Sequence, residues 1–183
     1  RRGELLALRW QDVNFEGLNV TIRNNLVKTS QGSIFKDLKT ESSYRSIDIP
    51  LGLLKLLKEH KSRQEIAKQT LGGCYKDDGL ICCNQDGALI PPCYFTRKFI
   101  KFLKKHGLKI IRLHDLRHTN ATLMLKYGIP AKIASKRLGH SSVGITLDLY
   151  SHVVGDMQRE VADKIDEGVF GKLSGPCQDI KKP

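Results

Sequence analysis

Four stretches of this chain carry apolar residues at helical spacing and each ends on glycine, so most of it must fold as short, sharply terminated helices. The first opens at Pro50, where proline suits the first helical turn, and stops at Gly72 and Gly73. "YFTRKFIKFLKKHG" sets Phe95, Phe99 and Phe102 on one side and lysines on the other, and closes at Gly107. "HDLRHTNATLMLKYG" and "PAKIASKRLG" follow, each closed by glycine; "SSVGITLDLYS" opens with serines suited to capping. Val154, Met157, Val161 and Ile165 then mark an amphipathic C-terminal helix over about 155–167.

The chain ahead of these helices reads differently. "RRGELLALRW" is a short helix that leaves through the turn-rich "QDVNFEG". "LNVTIR", "SIFKDL" and "YRSIDIP" are short, β-branched or alternating, and separated by polar turns, which predicts a small antiparallel sheet of three strands, with Lys39 in the connection before the last. "GLICC" reads as a buried strand. The fold class is therefore α+β, mainly helical, in one compact domain.

Charge narrows the partner. The chain carries 31 Lys+Arg against 19 Asp+Glu, a net +12, which favours a polyanion over an acidic small molecule. Between Arg97 and Arg137 lie twelve basic residues and one acid, Asp115, whereas the part from Val154 onward is near neutral. Five cysteines form an odd set suited to reduced thiols in a cytoplasm, and the adjacent Cys82 and Cys83 are poorly spaced for a tetrahedral metal. No apolar run approaches the roughly 20 residues of a membrane span. The start at Arg1, without Met and inside a helix, reads as a piece of a longer protein.

His114 and Arg117 in "LHDLRHT" share one face in the first turn of their helix. A phosphate there would meet free backbone N–H groups, the helix dipole, a guanidinium fork and an imidazole. Alone, an H-x-x-R spacing equally describes a surface pair. Its context is more specific: "LGH" ends at His140, Tyr150 follows ten residues later, and "RRGELLALRW" stands at the start. Together these motifs, spread over nearly the whole chain, resemble the tyrosine recombinases of the phage-integrase type.

The resemblance implies a recombinase catalytic domain over residues 1–170, followed by a polar tail, 171–183. It implies that Arg1, Lys39, His114, Arg117, His140 and Tyr150 gather around one DNA phosphate, with Glu4 holding the arginine in place; Lys36 is the weaker match for the lysine. Arg2 is then the variable neighbour. The activity implied is cleavage and rejoining of DNA strands through a 3′-phosphotyrosine at Tyr150, without metal, ATP or other cofactor. The implied partner is double-stranded DNA at attachment or recombination sites, bound by a tetramer of the full-length protein in a bacterial cytoplasm. The piece alone is expected to be monomeric, to bind DNA weakly and to recombine little. A recombinase-like domain that only holds DNA and a type IB topoisomerase are the competing readings. The C-terminal helix fits docking on a neighbouring protomer and packing on its own domain equally well.

Overall fold

The computed structural model of the protein describes residues 1–37, 44–140, 142–148 and 162–171. Helix α1 (Arg2–Ala7) opens the chain and runs through a 3₁₀ turn at Trp10–Asp12 into strand β1 (Val13–Asn14). The Asn14 side chain accepts from the backbone N–H groups of Glu16 and Gly17, an Asx turn that returns the chain into β2 (Asn19–Ile22). A hairpin of β3 (Asn24–Thr29) and β4 (Gly32–Asp37) follows, and then β5 (Arg45–Asp48).

The sheet has three antiparallel strands, but not the three expected. Its order is β1–β2–β5, with Val13 opposite Val20 and Val20 opposite Ile47. "SIFKDL" is not part of it: β4 pairs with β3 in a separate two-stranded hairpin, Leu26 facing Phe35. The sequence reading missed β3 because Asn24 and Asn25 at its head resemble a turn, and it missed β1 because two residues carry no alternation. "GLICC" is buried at Leu80 and Ile81, as read, but forms only single bridges, Arg9 with Leu80 and Cys83 with Leu89.

Helix α2 (Leu51–Leu71) starts from Pro50 and stops at Gly72. Leu54 and Leu57 press it onto the sheet among Val20, Ile22 and Ile49, and Trp10 donates its indole N–H to Gln64 at 2.7 Å. A second cluster joins α1 to β3 through Leu6, Ala7, Leu26 and Ile90, with Phe95 against it. Gly3 is needed there: a Cβ at this position would lie 2.6 Å from the Leu26 carbonyl oxygen.

Three helices complete the described fold. In α3 (Pro92–Lys105) the inward row is Phe95, Phe99 and Leu103; Phe102 is exposed and its ring lies tilted against His106 instead. The i, i+4, i+8 row faces the core, and Phe102 falls one step off it. Helices α4 (Asp115–Lys126) and α5 (Ala131–Leu138) pack on each other, each ending in a glycine at positive φ, Gly128 and Gly139. Residues 144–148 are helical, and the Ser142 hydroxyl accepts from the Gly144 N–H, in line with the expected serine capping. Residues 162–170 are helical, with Ile165 and Val169 exposed. Val154, Met157 and Val161 of the expected apolar stripe, and the tail after Gly171, lie outside the described residues.

One polar contact joins the layers. The Glu4 side chain, only 3% exposed, accepts from Arg45 Nη2 of β5 at 2.6 Å and from Arg1 Nη1 at 2.8 Å. Burial pushes its carboxyl up, but the hydrogen bonds from the Arg45 and Arg1 guanidinium groups outweigh that and bring it down to about 2.

Two stability experiments follow. Leu6→Ala, at a site 1% exposed, should lower unfolding free energy in urea by about 2–5 kcal/mol, whereas Leu56→Ala, 59% exposed, should stay within about 0.5 kcal/mol. Because Glu4 has a depressed pKa, its ionised form adds stability above pH 4.5 that is lost as pH falls toward 2. The stability gap between the protein and Glu4→Gln should therefore be full at neutral pH and close across that interval; a pH-independent gap would contradict the ion-pair account.

Candidate active site

The first turn of α4 is built by a local clasp. Asp115 accepts from the Arg112 backbone N–H at 2.9 Å and from its guanidinium at 2.9 Å, which holds the approach to the helix in place. His114 is the N-cap residue and Arg117 lies in the first turn, so both side chains sit at this end of α4. The Asp115 carboxylate in this first turn is engaged by Arg112 and not by the backbone N–H groups of α4.

Helix α5 delivers the next residue. Gly139 adopts the left-handed conformation, φ 67° and ψ 47°, and turns the chain out of the helix into His140. A Cβ on Gly139 would stand 3.0 Å from the Arg45 guanidinium carbon, so glycine serves both the turn and the close approach. Arg1 Nη2 donates to the Gly139 carbonyl at 2.5 Å, and Arg45 Nε donates to the Arg137 carbonyl at 3.3 Å. The start of the chain is thereby fastened to the end of α5 across 138 positions of sequence. Arg137 in turn donates to the Asp48 carbonyl at the end of β5, at 2.8 Å.

These contacts bring Arg1, His114, Arg117 and His140 within electrostatic reach of one another. Burial, and then Arg117, Arg1, His118 and His114, hold His140 below its ordinary value of 6.5. Burial, and then His118 and Arg117, do the same to His114. Arg117 is lowered by burial and by Arg1 and Arg45, with Glu4 acting the other way. Both histidines are therefore mainly neutral at pH 7, and Glu4 is the acid that offsets the three guanidinium groups. A cleft of about 800 Å³ opens beside them, lined by Arg1, Arg45, His114 and Arg117 together with the apolar Leu5, Ile47, Leu113 and Leu138. A phosphate diester, with its negative charge and acceptor oxygens, matches that surplus of donors.

Four of the six residues named from the sequence thus come together, with Glu4 beneath them. Lys39 and Tyr150 lie outside the described residues. Lys36 is in β4, exposed, opposite Asn25. His118 packs edge-on to His114 with ring centroids 4.8 Å apart, in line with a packing role. Among the described residues Cys74, Cys82, Cys83 and Cys93 are free thiols. No described helix is long and apolar enough to cross a membrane.

Two residues of the site were not singled out from the sequence. Arg45 shares the inward phase of its strand with Ile47, and a charge on that phase of an alternating strand was a legible signal. Thr146 is completely buried and its hydroxyl lies 2.8 Å from His140 Nδ1; a threonine in a short helix carries no such signal.

Comparison with known proteins gives the family. A sequence model of the phage integrase family matches residues 1–156. A XerC-like tyrosine recombinase of Caldanaerobacter subterraneus subsp. tengcongensis is 30% identical over 91% of this chain and 46% of its own length. The ICEBs1 integrase of Bacillus subtilis is 35% identical over 91% of this chain and 45% of its own. The chain spans about half the length of these curated relatives. In fold it is similar to the Tn1549 transposon integrase solved in complex with transposon right end DNA, with a TM-score of 0.75 at 21% identity over 90% of this chain and 54% of that one. The mainly helical α+β architecture with its small antiparallel sheet is that of a recombinase catalytic domain, and the chain belongs to the phage integrase family of tyrosine recombinases.

Proposed function

We propose that residues 1–170 form the catalytic unit of a site-specific DNA recombinase that cuts and rejoins strands through a 3′-phosphotyrosine at Tyr150. The observation that carries this reading is that Arg1, Arg117 and His114 line one cleft, with His140 within electrostatic reach of all three and the buried carboxylate of Glu4 between Arg1 and Arg45.

The chemistry follows from charge. Attack on a phosphodiester adds negative charge to a five-coordinate transition state, and fixed cationic donors stabilise it. Arg1 and Arg117 stay charged at any working pH and offer paired donors to the non-bridging oxygens. They supply the electrostatic part of the reaction without requiring a metal. A phenol of pKa near 10 is about 4 kcal/mol short of ionisation at pH 7. His114, held neutral at that pH, is suited to take the proton as the Tyr150 oxygen bonds to phosphorus. Lys39 protonates the departing 5′ oxygen, and His140 donates to the phosphate. The phosphotyrosine keeps the bond energy of the diester, so a free 5′ hydroxyl of another strand reseals it without ATP.

The partner in this reading is double-stranded DNA, gripped by the basic α3–α5 region, and the whole protein works as a tetramer in the cytoplasm of a bacterial host of a phage or mobile element. The Tn1549 neighbour's complex with DNA and the integrase names of the relatives support it. The C-terminal helix is assigned to no partner.

The intact protein, given nicked duplex built from the junctions of its own element, should form a denaturant-stable protein–DNA adduct that Tyr150→Phe abolishes and EDTA leaves unchanged. Equal DNA binding with no adduct would favour a domain that only holds DNA. Relaxation of supercoils without strand exchange would favour a topoisomerase. If six to ten phosphates are neutralised, affinity should fall about 10³- to 10⁵-fold between 50 and 200 mM salt; a flat response would exclude this mode of binding. Since His114 must be neutral to act as base, kcat/KM should fall as pH drops, with its acid limb below 6.5.

A further inference from the structure

We propose that Thr146 is a positioning residue that keeps His140 an Nε2–H donor toward the bound phosphate, an inference that rests on the recombinase reading. The Thr146 hydroxyl is completely buried and lies 2.8 Å from His140 Nδ1. That contact settles which ring nitrogen remains for a ligand: Nδ1 is taken, and Nε2 is left. The charged and titratable groups pressing on the ring are Arg1 just ahead of α1, His114 just ahead of α4 and Arg117 and His118 within it, with the Arg45 guanidinium of β5 packed against the neighbouring Gly139.

A neutral imidazole carries one N–H, and its partner decides where. Were Thr146 to accept from Nδ1–H, the bare Nε2 lone pair would face the acceptor oxygens of a phosphate. It would gain nothing in exchange: among the described residues no arginine donates to it, the Arg1 bonds of the site going to Glu4 and to the Gly139 carbonyl. Were Thr146 to donate to Nδ1, the proton would sit on Nε2 and point to the phosphate. The hydroxyl also serves the charged ring, because it turns to accept from Nδ1–H while Nε2–H remains. A carboxylate in its place would hold the proton on Nδ1 and leave a neutral ring without a donor at Nε2. A hydroxyl is thus the partner that presents the same donor in both charge states.

Thr146 also joins His140 to the helix of residues 144–148, four positions ahead of Tyr150 in the chain. The residue that would donate to the phosphate and the segment that leads to the nucleophile are tied by one hydrogen bond to a buried hydroxyl.

The test is ¹⁵N NMR of the intact protein labelled at histidine, with the His140 signals assigned through His140→Gln, beside adduct formation on nicked duplex. Neutral His140 should be the Nε2–H tautomer. Thr146→Val should redistribute the proton between the nitrogens and slow adduct formation by about 10- to 100-fold, as for other outer partners that orient a working histidine, with DNA affinity unchanged. Thr146→Ser should restore both. An Nδ1–H tautomer in the unaltered protein would overturn the proposal. So would an unchanged tautomer in Thr146→Val, or Thr146→Ser behaving as Thr146→Val does at an unaltered melting temperature. Should Thr146→Val fail to fold, the tautomer of the unaltered protein and the behaviour of Thr146→Ser decide. An Nε2–H tautomer in a protein that never forms an adduct would uphold the Thr146 contact and sink the recombinase reading instead.

Discussion

A carboxylate held out of water between two guanidinium groups is the contact on which the rest of this molecule turns. Glu4 is buried, and taking a carboxylate from water costs several kcal/mol unless cations and hydrogen bonds replace the hydration. Arg45 and Arg1 do so, one from the third strand of the sheet and one from the head of α1. Breaking such a pair from one side leaves an uncompensated charge and costs about 3–5 kcal/mol. The pair thus ties the sheet to the head of α1 by a directional contact beside the apolar packing.

From that carboxylate the arrangement extends outward through backbone carbonyls. Arg1 reaches the carbonyl of Gly139 and Arg45 that of Arg137, so the same two guanidinium groups that neutralise Glu4 also seat the C-terminal end of α5. The left-handed turn at Gly139 then leads into His140, whose Nδ1 meets the Thr146 hydroxyl. Each cation has two tasks, and the carbonyls at a helix C-terminus are natural acceptors for them because that end carries the negative pole of the dipole. Packing three guanidinium groups around one acid leaves the neighbourhood short of negative charge. The lowered values of His114 and His140 record that shortage, with burial as the first cause and the arginines next.

Much of this was legible in the chain itself. Glycines at 72, 107, 128 and 139 marked helix ends because positive φ suits a residue without Cβ. The ordered H-x-x-R, LGH and Tyr series, with "RRGEL" ahead of it, named Arg1, Glu4, His114, Arg117 and His140 before any geometry was at hand. What failed was pairing. "SIFKDL" has strand composition, but composition does not say which neighbour a strand will join, and β4 joined the local hairpin partner rather than the sheet. Phe102 was placed inward by counting aromatics, when the helical row selects Leu103.

The sequence by itself determined the helical segments, their ends, the sign of the charge and the identity of the family, since these rest on local spacing and on residue types in order. Only the tertiary structure decided that Arg45 and Thr146 belong beside the site. Neither lies in a motif, and each acquires its role from a partner far away or on another element: Glu4 lies 41 positions from Arg45, and His140 lies across a turn from Thr146. A buried hydrogen bond is specified by where two chain segments meet in space, and local propensity contains no record of that meeting.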